Sequence, residues 1–139
     1  MEDKNFDKIM KFIFKSEGGF VDDPDDLGGR TNLGVTQNTY NSWRKQKGLY
    51  PQDVKYITKE EARQLYYDEF WKPSGADKIE DLREAYLLFD MALNSGPYEA
   101  KKLFKQSGGN IYNFLKNRKL YYNNLVKKSL NKQNFKKGG

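Results

Sequence analysis

Glu17 is the residue whose type and position most directly suggest chemistry. Phe6, Ile9, Met10 and Ile13 recur at helical spacing, marking the apolar face of an N-terminal helix from about Asn5 to Glu17. Glu17 is the next position on that face, and Gly18-Gly19 ends the helix. Lys4, Lys8, Lys11 and Lys15 form the opposite, solvent-facing stripe. Desolvation on the apolar side disfavours an ionised carboxylate. The negative end of the helix dipole pushes the same way. Both favour a protonated acid near neutral pH, as a general acid requires. A bland reading competes, in which Glu17 turns back to bond its own helix end or a nearby arginine. The helix alone weighs the two equally.

A second carboxylate lies within reach. Asp22, Asp23, Asp25 and Asp26 all follow on the segment leaving the helix, with Asp26 nine positions after Glu17 and Thr31-Asn32 shortly beyond. A helix-terminal Glu, an Asp on the returning loop and a Thr on the first strand suit glycoside cleavage. The Glu protonates the glycosidic oxygen, the Asp stabilises an oxocarbenium ion or activates water, and the Thr helps to place that water. A calcium loop is the weaker reading, because Pro24 and Leu27 break the alternation of oxygen ligands.

The missing residue types narrow the field. The 139-residue chain has no cysteine and no histidine. Thiol nucleophiles, disulfides, Ser-His pairs and histidine-ligated zinc are therefore excluded. Carboxylate-driven glycoside chemistry needs none of them, and no metal or cofactor is expected. Charge is divided along the chain. Residues 1–100 hold 14 basic and 19 acidic side chains, a net of −5, whereas the 11 charged residues after Glu99 are all basic. Such a one-sided field suits an anionic partner: nucleic acid, a membrane surface or cell-wall polymer. A solvated basic surface is the plainer account. No nucleic-acid motif accompanies the charge, so no specific nucleic-acid binding is expected.

The elements that must position these residues read as α+β, predominantly helical. Alternation around Thr31 to Thr36 suggests small strands or a hairpin, the one sheet expected. Thr36 is a candidate N-cap for a helix carrying Tyr40 and Trp43. Thr58-Lys-Glu-Glu61 reads as a capping box opening a helix with Ala62, Leu65, Tyr66 and Phe70, which stops near Trp71 to Pro73. Residues 79–93 read as a central buried helix. Pro97 suits the first turn of the next helix. A last basic helix uses Ile111, Phe114, Leu115, Tyr122, Leu125 and Val126 for its apolar contacts. No apolar run is long enough to span a bilayer. The N-terminus lacks the plan of a secretory signal, so cytoplasmic synthesis with separate release is expected.

Glu17-Gly18-Gly19-Phe20, then Asp25, then Gly28 through Thr36 (GGRTNLGVT) resembles the signature of glycoside hydrolase family 108. Those enzymes are phage and bacterial lysozymes (N-acetylmuramidases), often endolysins. The resemblance continues through residues 57–62 and 67–71 and resumes at residues 89–97, which look like the start of a small peptidoglycan-binding segment. It implies a lysozyme-like fold over 1–139, with 1–75 carrying the catalytic Glu and the hairpin and 76–139 completing the core. It assigns the catalytic acid to Glu17. The substrate it implies is the glycan strand of peptidoglycan, cut between N-acetylmuramic acid and N-acetylglucosamine by a monomer acting in the periplasm or wall after holin-dependent or other release. Asp26 matches the Glu-to-Asp spacing of phage-type lysozymes, while Asp25 matches the Asp-Pro-x-Asp pattern of this family; both stay candidates. Thr31 stands one position short of the corresponding threonine. Family members usually carry a longer Gly-, Pro- and Thr-rich stretch where residues 106–110 stand here, so the wall-binding segment reads as reduced.

Further expectations concern substrate contacts. Asn32 is a candidate positioner of water or substrate. Trp71 and Tyr98 are candidates for stacking on sugar rings, with Tyr40 and Trp43 favoured as core. Asn94 and Ser95 could meet N-acetyl groups or simply cap their helix. Asp90 is expected to be a buried structural acceptor or a partner for Arg118 rather than a catalyst, and Arg30 to hold the hairpin through an aspartate. The basic C-terminal region would keep the enzyme near an anionic wall or outer surface. Two rivals share the fold: a lytic transglycosylase, in which the muramic 6-hydroxyl attacks, and a catalytically silent wall-binding module.

Overall fold

The computed structural model describes residues 3–16, 18–23 and 29–138, with side chains as far as Leu130. Glu17, Asp25 and Asp26 therefore lie outside the described residues.

Helix α1 (Lys4–Ser16) buries Phe6, Ile9, Met10 and Ile13, the stripe expected from the sequence. Asp3 starts it by accepting the Phe6 amide at 3.0 Å. The strands β1 (Val21–Asp22), β2 (Arg30–Asn32) and β3 (Val35–Thr36) form an antiparallel sheet in sequence order. Val21 pairs with Thr31, and Thr31 with Thr36. Leu33 and Gly34 join β2 to β3 with φ of 53° and 79°. Positive φ at both central residues is the backbone sense of a tight hairpin turn matching strand twist.

Thr36 caps α2 (Gln37–Gln46), accepting the Thr39 amide. After a 3-10 turn (Val54–Tyr56), Thr58 and Glu61 close a full capping box on α3 (Lys59–Tyr66). Here the expected helix end is displaced. The chain continues through a π-helical turn (Tyr67–Trp71) into the short α4 (Lys72–Ser74), and stops at Gly75, whose φ is 86°. A 3-10 turn (Ala76–Lys78) leads to α5 (Leu82–Ser95), which buries Ala85, Leu88, Phe89, Met91 and Ala92. Pro97 occupies the first turn of α6 (Pro97–Gln106), and α7 (Ile111–Gly138) ends the described chain.

Aromatic rings carry the core. Phe6, Trp71 and Phe89 meet with centroids 5.3 Å apart for Phe6–Trp71 and for Trp71–Phe89, joining α1, the π turn and α5. Trp71–Phe89 is edge-to-face and Phe6–Trp71 tilted, and offset or edge-on aromatic pairs add about 0.5–1.5 kcal/mol beyond area burial. Phe104 and Phe114 tie α6 to α7 in the same manner at 5.4 Å. Arg118 pairs with Asp90, as expected. Beyond that clasp α7 differs from expectation: Phe114 is buried, but Leu115, Leu125 and Val126 are exposed. The helix outruns the body that could cover them. Among the described residues no helix is long and apolar enough to cross a membrane.

Candidate active site

The described chain frames the catalytic candidates. Helix α1 ends at Ser16, immediately before Glu17, and β1 and β2 bracket the segment that holds Asp25 and Asp26. The frame is pinned by Arg30. Its guanidinium donates to Asp22 on β1 at 2.9 Å and to Asp53 at 2.7 Å, and it lies 4.8 Å from the centroid of the Phe20 ring. The Lys55 amide hydrogen bond, more than Arg30, holds the Asp53 carboxyl below its usual range. The hairpin is thereby locked to the 3-10 turn through an aspartate, as the sequence suggested. Asn32 reinforces the lock by donating to the Val54 and Lys55 carbonyls at 3.2 and 3.0 Å. Its amide nitrogen is thus spent on the scaffold. Thr31 sits at the middle of the central strand, half-buried.

Beside the hairpin opens a groove of about 240 Å³ lined by Gly34, Thr36, Thr39, Tyr66, Phe70 and Asn94. The Tyr66 hydroxyl donates to the Leu33 carbonyl at 2.8 Å and so fixes the hairpin turn to α3. Asn94 lies at the wall of this groove, its amide donating to the Asp90 carbonyl one turn back at 2.8 Å and its side chain exposed. Thr39 and Phe70 also line a second cavity of about 500 Å³, where Ser42, Asp68, Glu69 and Tyr98 appear. The two cavities therefore adjoin along α2 and the π turn.

Two carboxylates in that turn have opposite fates. Asp68 accepts from Lys47 at 2.9 Å, from Trp43 at 3.1 Å and from Gln64 at 2.9 Å. Burial pushes its carboxyl up, but these donors outweigh burial and hold it below the usual range. Glu69 has no such donors. Its Oε1 is buried without a hydrogen-bond partner, and burial, then the charge of Asp68, push its carboxyl up. A third polar cluster is structural. The buried Tyr40 hydroxyl donates to Glu61 at 2.9 Å and accepts from Gln52 and Arg44 at 2.9 and 3.2 Å. Among the described residues no group of three or more acidic side chains could hold a metal ion.

The sequence profile described as Glycosyl hydrolase 108 matches residues 10–96, more than half of the chain. The chain belongs to glycosyl hydrolase family 108. As a family 108 member it is a glycosidase of the peptidoglycan-hydrolase kind. Its fold is lysozyme-like, α+β and mostly helical. A solved structure, described as the structure of Brucella abortus SagA, is similar to it with a TM-score of 0.64 and 31% identity, over 82% of this chain and 68% of that one. No curated protein matches the chain.

Within this family 108 fold the substrate contacts read from the sequence divide. Tyr98 is 78% exposed at the rim of the larger cavity, free to meet a ring face. Trp71 is a correction: it is 0% exposed, and its indole donates to Asp3 at 2.7 Å. The π turn rotates it inward onto Phe6 and Phe89, so it packs the core and stacks on no sugar. Tyr40 and Trp43 are buried, as favoured. Ser95 is half-buried and faces α7, its hydroxyl 3.5 Å from that of Tyr122. Glu69 was missed, because a Glu inside a helical pattern looks like ordinary surface. The only signal was its place between Tyr66 and Trp71, both of which must be buried.

Proposed function

We propose that this enzyme hydrolyses the β-1,4 bond between N-acetylmuramic acid and N-acetylglucosamine, with Glu17 as general acid and Asp25 or Asp26 as charge stabiliser or base. The observation that carries this reading is the groove beside the hairpin. Thr36, Thr39 and Asn94 supply hydroxyl and amide groups, and the partly exposed Phe70 supplies a ring, the mixture that amphipathic sugar rings require. Glu17 follows on a helix whose apolar face is buried, in a chain without a histidine or cysteine to do the work instead. Protonation of the glycosidic oxygen by Glu17 releases the leaving sugar hydroxyl. The second carboxylate meets the positive charge that develops at the anomeric carbon, or takes a proton from the attacking water. Thr31 and Asn32 lie on the strand that follows and orient this region.

The wall substrate is anionic, and the 11 basic residues after Glu99 complement it by holding the enzyme near its polymer. The test is product analysis on purified peptidoglycan. The parent releases reducing muramic acid ends, and Glu17→Gln slows release by about a hundredfold or more, the usual contribution of a general acid. Equal rates for parent and variant would remove Glu17 from the chemistry. Anhydro ends in the products would instead assign a transglycosylase. Asp25→Asn and Asp26→Asn, compared side by side, identify the partner carboxylate.

A further inference from the structure

The larger cavity has no role in the reaction just described, yet it is built like a sugar site. One wall is α2, where Asn38, Ser42 and Gln46 recur at i, i+4 and i+8. That spacing places an amide, a hydroxyl and a second amide on one helix face over about 12 Å. All three side chains are exposed. The facing wall comes from the π turn and the start of α6, with Phe70, Pro73, Pro97 and Tyr98 as apolar platform. Between them stands Glu69, half-buried, with one carboxyl oxygen shut off from water and without a hydrogen-bond partner.

Two features mark Glu69 as more than surface. A buried carboxyl oxygen left unpaired costs about 1–3 kcal/mol, so its presence in a native fold calls for a specific cause. Glu69 also sits inside a π-helical turn, a rare element concentrated at functional sites because it re-aims side chains. The wider turn sends Trp71 into the core and leaves Asp68 and Glu69 on the cavity. Asp68 is the poorer ligand group of the two, since Lys47, Trp43 and Gln64 already donate to it.

We propose that this cavity is a further saccharide subsite that takes an N-acetylhexosamine unit of the strand beyond the hairpin groove, with Glu69 hydrogen-bonded to its hydroxyl or acetamido group and Tyr98 stacked on its ring. The inference rests on the glycosidase reading, because the cavity adjoins the hairpin groove through Thr39 and Phe70. A neutral sugar suits the site better than a cation. Lys47 already balances Asp68, and the Asn38, Ser42 and Gln46 side chains on the facing wall are neutral amide and hydroxyl groups.

The test uses the full chain carrying Glu17→Gln and peptide-free glycan oligomers, with binding followed by calorimetry and by amide NMR shifts. An octasaccharide should bind about tenfold more tightly than a tetrasaccharide, a difference of about 1.4 kcal/mol. Resonances of Ser42, Gln46 and Tyr98 should move with the longer chain only. Adding Glu69→Leu, or separately Ser42→Trp on the exposed helix face, should make the two oligomers bind alike while tetrasaccharide binding stays that of the parent. Ser42→Trp fills the cavity without touching the core, so its result does not depend on how Glu69→Leu folds. The proposal is overturned if both oligomers bind alike before the cavity is altered, or if the length advantage survives both variants. The catalytic reading fails separately, if Glu17→Gln still cleaves peptidoglycan at the parent rate while the length advantage is present.

Discussion

Glu69 and Asp68 are neighbours with opposite electrostatics, and pH should separate them. The folded-state value of Glu69 lies above its ordinary 4.5. Its contribution to stability is therefore fully present below about pH 4.5 and is lost as pH rises through the folded value. Replacing it by Gln removes the buried charge, so Glu69→Gln should melt at a higher temperature than the parent at pH 7. The gap should shrink towards zero below pH 4.5, as a thermal melt series would show. Asp53 and Asp68 act in the other direction. Both are held below their ordinary 3.8, so their stabilisation is present above that pH and disappears as pH falls through the lowered folded values. Asp68→Asn should accordingly destabilise at pH 7 but have little effect near pH 2. Tyr40 offers a check on the buried network, since Tyr40→Phe leaves the Gln52 amide without its acceptor and takes one donor from Glu61, whose ion pair with Arg44 remains. The expected loss is about 1–3 kcal/mol in denaturant titration.

At the scale of elements, local signals mattered where they sit at ends. The capping box at Thr58 and Glu61 and the N-cap at Thr36 follow from side chains that reach only their own helix. Thr58→Ala should cost about 1 kcal/mol of stability, measured by chemical denaturation, without altering activity. The hairpin is more demanding. Gly34 has φ of 79°, so Gly34→Val should cost about 1–2 kcal/mol in strain. It should also lower kcat/KM, because that turn edges the groove. The end of α3 could not be placed from pattern alone. Pro73 suggested a stop, but Pro is tolerated in the first turn of a new helix, and the π turn lets the chain run on to Gly75. A π turn leaves no periodic signature in five residues, and its cost is met by tertiary contacts of Trp71 and Phe70.

For the whole molecule, the notable asymmetry is between a packed acidic body and a basic helix that leaves it. After Arg118 and Tyr122, α7 exposes Leu125, Val126 and Leu130 beside Lys127 and Lys128. Association with isolated cell walls should be salt-sensitive: co-sedimentation should fall as salt rises from about 0.1 M to about 1 M, where the screening length drops from about 10 Å to about 3 Å. Lys127→Gln with Lys128→Gln should reduce the bound fraction at low salt and flatten that dependence, leaving thermal stability unchanged.

The sequence by itself determined the chemistry that is available and the identity of most helices. Missing His and Cys, the Glu17-Gly-Gly motif, helix-period stripes and capping residues are all properties of neighbours along the chain or of composition. The tertiary structure alone decided which aromatic rings are walls and which are core. Trp71 and Tyr98 looked alike as sugar-stacking candidates, yet one is wedged between Phe6 and Phe89 and the other faces solvent. It also decided that Asp68 is satisfied and Glu69 is not. Burial and hydrogen-bond partners come from residues distant in sequence, such as Trp43 and Lys47 converging on Asp68, and chain pattern encodes no such convergence.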